Sequence, residues 1–333
     1  MPTRRTCLLA ALLFLSGVCP AAETTQPARA EQRTFLFTYD ATVTGLPPGT
    51  DARVWLPVPP NTDAQRVELV AQTLPAPAAL GSDAATGNRM LAFEAAANAD
   101  GEIPMHLTYK VTRYEIGELP SAAATDAAAD LKANRLVPIG GAPQKLLVGH
   151  TLPTDALQRG RALYDVVFNN MTYRKDQPGW GRGDASWACD SHFGNCTDFH
   201  SLFMSLARTS GLPAKFEIGF GIPEKHGAGD VAGYHCWALF KPQGHGWVPV
   251  DISEASKHPE KRDYFFGHLC ANRVAFSTGR DLNLVPKQSG EPLNYFVYPY
   301  VEVGDKPLPA EKLKKAFSYQ DLGTPATGPA ALN

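Results

Sequence analysis

The chain has 333 residues, 44% of them hydrophobic, and its 31 Lys and Arg against 33 Asp and Glu leave a formal charge of −2 at pH 7. That length and composition suffice for two ordinary hydrophobic cores. With no basic stripe and no lysine-rich tail, the charge pattern gives no support to a nucleic-acid partner, and no stretch beyond the first twenty residues is apolar enough to predict a membrane-spanning helix.

Arg4 and Arg5 precede the apolar run Cys7 to Val18, and small residues follow at Ala21 and Ala22. This pattern predicts a cleavable signal peptide over residues 1–22 and a periplasmic or secreted protein. Removing Arg4 and Arg5 with it leaves a charge of −4 (−2 minus 2). Thr3 to Leu8 partly resembles a twin-arginine signal, but paired arginines also simply supply positive charge, so the export route stays open. Val18 before Cys19 makes a poor lipobox.

Short alternating runs follow at 34–39, 52–58, 65–74, 90–95 and 105–114, separated by proline, glycine, asparagine or aspartate. They predict an N-terminal β-sandwich over residues 31–118. Its acids and its single histidine, His106, are scattered, so its expected role is a wall beside an active site or a surface for a periplasmic protein partner. Residues 119–151 read as a linker, alanine-rich at Ser121 to Ala129 and broken by prolines and glycines at Val137 to Pro143. A helix is predicted from Asp155 to about Asn170, carrying Leu157, Gly160, Leu163, Tyr164 and Val167.

A polar, glycine-rich loop between Tyr173 and Phe193 leads into Gly194-Asn-Cys-Thr-Asp-Phe-His200. Phe199, Leu202, Phe203, Leu206 and Ala207 recur at the spacing of one helical face, which predicts a buried helix ended by Gly211. Asn195 is its expected N-cap, Asp198 its capping-box acid, and Cys196 its first residue. The free N–H groups and positive dipole end of a helix favour a thiolate there, so Cys196 is the candidate nucleophile. His200, one turn on, is expected to line or buttress the cleft. Downstream, Gly233 to Phe240 and Gly244 to Asp251 read as two neighbouring strands that would place His235 beside Asp251. The carboxylate would hold the imidazole in the tautomer that takes a proton from Cys196. Trp237 is a further cleft candidate.

Gly-Asn-Cys196 opening a helix, Ala207 to Phe220 as helix end and following strand, His235-Cys-Trp237 and Gly246-Trp-Val-Pro-Val-Asp251 resemble the bacterial transglutaminase-like superfamily, over roughly Leu152 to Ser256. The resemblance implies an α+β, papain-like catalytic domain, here assigned to residues 152–304, with Cys196 as nucleophile, His235 as base and Asp251 as orienter. It also implies an oxyanion donor from an upstream Trp or Gln, for which Trp187 is the candidate, alongside the Cys196 N–H. Asn195 serves as a cap and a cleft candidate. Lys215 stands where the family usually has arginine. Calcium activation is not implied, since no calcium loop is recognisable, and no cofactor is expected.

Beyond Asp251, aromatic runs at 264–267, 272–276, 282–285 and 295–302 are expected to extend a sheet, and residues 305–333 read as a C-terminal extension ending in a disordered tail from Gly323. Four cysteines remain after the leader: Cys189, Cys196, Cys236 and Cys270. An exported protein invites disulfides, and the expectation keeps Cys196 free while pairing two of Cys189, Cys236 and Cys270. Strand alternation puts Cys236 on the face opposite His235. A structural zinc held by Cys189, His192, Cys196, His235 and Cys236 competes with the catalytic reading, but the usual Cys-x-x-Cys pair is missing, so the expectation is no metal. The expected function is acyl transfer on an amide of a peptide or protein. Water as acceptor gives a peptidase or amidase, the favoured case; an amine gives a crosslinking transamidase. An inert binding module is the reading from a different class.

Overall fold

The computed structural model describes residues 31–117 and 127–323. The predicted signal peptide, residues 119–126 of the expected linker and the residues beyond Gly323 lie outside the described residues. The strands of the first part are β1 (Gln32–Val43), β2 (Asp51–Val58), β3 (Gln65–Thr73), β4 (Ala79–Ser82), β5 (Arg89–Ala96) and β6 (Ile103–Tyr114). The central part holds α1 (Ala156–Asn170), β7 (Thr172–Tyr173), α2 (Ala185–Ser191), β8 (Phe193–Gly194), α3 (Cys196–Thr209), β9 (Ala214–Gly221), β10 (Ala228–Asp230), β11 (Tyr234–Phe240), β12 (Val248–Val250) and α4 (Ile252–Lys257). β13 (Arg273–Thr278), β14 (Tyr300–Val303), β15 (Lys306–Pro307) and β16 (Leu313–Asp321) complete the strands and α-helices of the described residues.

The strands predicted over 31–118 are present, but that segment does not close its own sheets. One five-stranded sheet runs β10-β16-β1-β6-β3 and another β15-β14-β2-β5-β4, so each takes strands from the C-terminal segment. β1 is long and strictly alternating, and β6 covers only one of its edges; β16 covers the other, with Phe37 opposite Tyr319 and Tyr39 opposite Phe317. The extension assigned to residues 305–333 is therefore an inner strand of a sheet up to Asp321. An uncovered edge of that length would be a liability, which is the physical reason for the closure.

A four-stranded antiparallel sheet, β12-β11-β9-β13, carries the catalytic candidates. Its face meets the first sheet directly. Phe37 lies 4.9 Å from Phe220 of β9, and Tyr39 lies 5.8 Å from Phe276 of β13, ring centre to ring centre. The hydrophobic core thus runs without a break from the N-terminal strands to the central helix.

α3 is that central helix, and Cys196 through Arg208 are all buried. Its capping box forms as predicted: the Asn195 side chain accepts from Thr197 N, and Asp198 accepts from Asn195 N. Asp198 does more than cap. It also accepts from Gly181 N at 2.7 Å and Gly183 N at 2.9 Å, which pins the glycine-rich loop beside the helix start. α1 starts at Asp155, whose carboxylate accepts from Gln158 N, and Gly160 lets Phe240 press against the helix where a Cβ would come within 2.1 Å of the ring.

Candidate active site

Three local features bring the site together. The capping box fixes Cys196 in the first turn of α3. Antiparallel pairing of β11 with β12 sets Ala238 against Val250, so His235 near the start of one strand comes to Asp251 just past the end of the other. Asp251 is itself the N-cap of α4, its Oδ1 accepting from Glu254 N and from the Ser253 hydroxyl, both at 3.1 Å. That leaves Oδ2 to accept from His235 Nε2 at 2.7 Å.

With Nε2 committed to Asp251, the other ring nitrogen of His235 is the one available to Cys196, which lines the same cleft. Burial by itself would push the His235 pKa down, but the Asp251 charge, the hydrogen bond to it and the hydrogen bond to Cys196 lift it to about 10. Burial would likewise raise the Cys196 thiol; hydrogen bonds from Cys236 and His235 and the His235 charge overcome this and hold it well below the usual thiol value. Asp251, despite full burial, is kept ionised by His235 and Arg273. The arrangement is a thiolate–imidazolium pair with an oriented carboxylate behind it.

Arg273 was not singled out from sequence. Its Nη1 donates to Asp251 Oδ2 at 3.0 Å, and its guanidinium lies 4.8 Å from the Trp237 ring centre. One charged residue at the head of the apolar run Val274 to Phe276 was the available signal. The approach of β13 depends on Gly219, which sits opposite both His235 and Ala275; a Cβ there would lie 1.8 Å from the Val274 carbonyl oxygen.

The remaining candidates fall in different places. Asn195 borders the cleft and donates from Nδ2 to the Tyr234 hydroxyl at 2.8 Å. His200 is fully buried behind the triad, its Nε2 accepting from Ile252 N at 3.1 Å, so it buttresses the cleft and does not line it. Trp237 is also fully buried, with its indole N–H on Glu217. Trp187 is a correction. Placed on α2 by the Asp184 cap, it packs against Gly179 and Phe193 and is not among the residues bordering the cleft, where Trp180 stands instead. Lys215 packs its ammonium 4.3 Å from the Trp247 ring centre.

The disulfide expectation is also corrected: Cys189, Cys196, Cys236 and Cys270 are all free. The Cys189 sulfur meets the Ala142 carbonyl at 3.4 Å, that of Cys270 meets Arg273 at 3.5 Å and that of Cys236 meets His200 at 3.6 Å. Two of the five residues of the zinc set turn elsewhere, Cys189 to the Ala142 carbonyl and the His192 ring to the Asn170 carbonyl. Ligating atoms of His235, Asp251 and Glu254 do lie within 4.8 Å of one another, but the first two are bonded to each other and Arg273 already supplies positive charge to Asp251.

The cleft, about 400 Å³, is bordered by Tyr173, Trp180, Asn195, Tyr234 and Tyr298, with Cys196 and His235 at its base. Lys257 pairs with Glu254, and Lys261 with Glu224, along its rim.

Residues 147–252 match the family model of the transglutaminase-like superfamily. An uncharacterized protein of Haemophilus influenzae is 34% identical over 198 residues, half of this chain and 53% of that protein, so the match spans about half the length of that relative. The 1.9 Å crystal structure of a candidate cysteine protease from Cytophaga hutchinsonii superposes with a TM-score of 0.58 over 90% of this chain and 94% of that one. At 15% identity this is a likeness of fold. The segment spanning residues 147–252 belongs to the transglutaminase-like superfamily.

Proposed function

We propose that the protein is a cysteine-dependent acyl-transfer enzyme that hydrolyses amide bonds of peptides or proteins. The observation that carries this reading is His235 held between Cys196 and Asp251 at the base of an open cleft. The Cys196 thiolate attacks the amide carbonyl, and the Cys196 backbone N–H, at the start of α3, donates to the developing oxyanion. His235 gives its proton to the leaving amine as the C–N bond breaks, which leaves a thioester on Cys196 and a neutral imidazole. That imidazole then takes a proton from water as the water attacks the thioester, releasing the acid and restoring the ion pair. Water is always present at this cleft, and no dedicated amine site can be named, which favours hydrolysis over transamidation. The leader pattern at residues 1–22 supports action outside the cytoplasm on envelope or external peptides.

The test is the rate of Cys196 alkylation by iodoacetamide against pH, in the protein and in His235→Ala, with the labelled residue mapped by mass spectrometry. Rapid labelling that persists well below the free-thiol pKa of about 8.5 and falls by roughly 100-fold at pH 6 in His235→Ala is the expected result. Labelling that behaves like a free thiol in both proteins refutes the proposal. Peptide mixtures incubated with and without an added primary amine then separate the acceptors: new carboxyl termini report hydrolysis, and amine adducts report transamidation.

A further inference from the structure

Tyr234 stands directly before His235 on β11, and its hydroxyl takes no part in the mechanism above. The side chain borders the cleft, with its ring centre 5.5 Å from that of Tyr295 and 5.9 Å from that of Tyr298. Its backbone N–H donates to the Tyr298 hydroxyl at 3.2 Å, which ties the residue down at a second point. The phenol oxygen reaches across to the start of α3. There it meets the residues on either side of the nucleophile, Asn195 Nδ2 at 2.8 Å and Thr197 Oγ1 at 3.0 Å.

The direction of these bonds follows from the helix cap. The Thr197 backbone N–H can only donate, so the Asn195 atom that faces it at 2.9 Å is the carbonyl oxygen. The atom that faces Tyr234 is then the amide nitrogen, and the phenol oxygen accepts from it. The phenol proton is left with two places to point, the Thr197 hydroxyl or the cleft. Thr197 can accept or donate, so as a carbonyl oxygen in the cleft gains negative charge the phenol proton turns to it and the Thr197 proton takes its place. The helix itself has little more to give there. Asn195 already takes the Thr197 N–H and, through its backbone oxygen, the Asp198 N–H at 3.1 Å, which leaves the Cys196 N–H as the donor of the first turn and room for a second beside it.

Resting on the reading of Cys196 as nucleophile, we propose that Tyr234 is a further catalytic residue, its hydroxyl donating to the oxyanion beside the Cys196 N–H, and that Asn195 is the positioning residue that holds the phenol oxygen at the helix start. Burial raises the phenol well above its ordinary pKa, so it keeps its proton across the working range. The role has a signature that packing lacks. Acylation of the thiolate passes through a tetrahedral oxyanion, whereas alkylation by iodoacetamide displaces iodide at a saturated carbon and forms none. Losing the donor slows the first reaction and spares the second.

The experiment reads both reactions in the protein, in Tyr234→Phe and in Asn195→Ser. Acylation uses p-nitrophenyl acetate: the bond from Cys196 Sγ to the acetyl carbon forms as the ester C–O bond breaks, and p-nitrophenolate leaves with the electron pair and is read as a burst. Alkylation by iodoacetamide is followed across pH, and both adducts are mapped by mass spectrometry. Tyr234→Phe keeps the ring and its packing; its acylation is expected to fall about 100-fold while its alkylation stays within about twofold of the protein. Asn195→Ser keeps a capping side chain that is too short to reach Tyr234, and is expected to show the same split at about tenfold. Acylation within about twofold of the protein in Tyr234→Phe overturns the proposal. So does alkylation that falls along with acylation in that variant, which would give the hydroxyl to the fold or to the thiolate. An Asn195→Ser variant that acylates normally overturns the positioning role. The protein itself separates the two readings: if it acylates and is alkylated at low pH while Tyr234→Phe matches it, only the oxyanion role fails; if it does neither, the nucleophile reading has failed.

Discussion

The two sides of Cys196 hold the same kind of group in opposite states. On the cleft side, His235 is 2.7 Å from Asp251 Oδ2 and is driven to about 10; on the core side, His200 is 3.8 Å from Asp251 Oδ1 and is driven down to about 4. Both are buried beside one carboxylate; burial prevails at His200 and is overcome at His235. His235 has the direct hydrogen bond to Asp251 and the Cys196 sulfur as a second anionic partner. His200 instead meets the Ile252 N–H, which only a neutral nitrogen can accept. The lesson is that a histidine's charge follows the direction of its hydrogen bonds more than its distance from an acid.

The largest expected effect comes from breaking the support that both sides share. Arg273→Ala leaves Asp251 with one fewer cation in a fully buried place and should destabilise the fold by about 3–5 kcal/mol, read by urea unfolding. A loss below about 1 kcal/mol would mean that His235 and the α4 cap suffice for Asp251.

The pH dependence of stability sharpens the contrast, because the two histidines act on opposite limbs. His200 is depressed, so between pH 6.5 and 4 the unfolded chain binds the proton that the folded one refuses, and stability falls as pH drops through that window, by on the order of 3 kcal/mol. His235 is raised, so its contribution is complete below about pH 6.5 and is lost as pH climbs through about 10. Unfolding midpoints across pH 4–10 should show both slopes. In His200→Asn the acid slope attributed to His200 should vanish while the alkaline one remains; an unchanged acid slope would reassign it to other groups.

Gly219→Ala tests how the cleft side is held. It pushes β13 from β9 at the residue opposite His235, and should cost about 1–3 kcal/mol and slow Cys196 alkylation through loss of the Arg273 contact. A stable variant with a normal pH profile would uncouple that strand from the triad. The smallest effect is reserved for the two loop tryptophans: Trp180→Ala should change peptide turnover and leave stability within about 0.5 kcal/mol, whereas Trp187→Ala should do the reverse. The opposite pattern would return the cleft role to Trp187.

Cys196, His235 and Asp251 were legible in the sequence because each is placed by a local rule: a cap, a strand start, a strand end. Arg273 was not, since its contact with Asp251 arises from the β9–β13 pairing, which no local pattern announces. Trp180 lies in the loop before α2 and Trp187 on α2 itself, and which one meets the cleft is decided by backbone turns at Gly179, Gly181 and Gly183, all at positive φ. An even number of cysteines suggested bridges, but parity carries no geometry. The helices and most strands followed from periodicity; the partners of β1 did not, because sheet order is a property of the whole chain.

That last pairing carries a consequence for how the molecule is made. Arg33 and Asp321, 288 positions apart, are joined by an ion pair at 2.8 Å along the β1–β16 seam. During synthesis, β1 has one edge uncovered until β16, the last strand of the described residues, arrives. Such high-contact-order closure is slow, and the waiting ribbon is a ready template for aggregation. The N-terminal portion is therefore not an early folding unit but the final clasp, shut by the end of the chain.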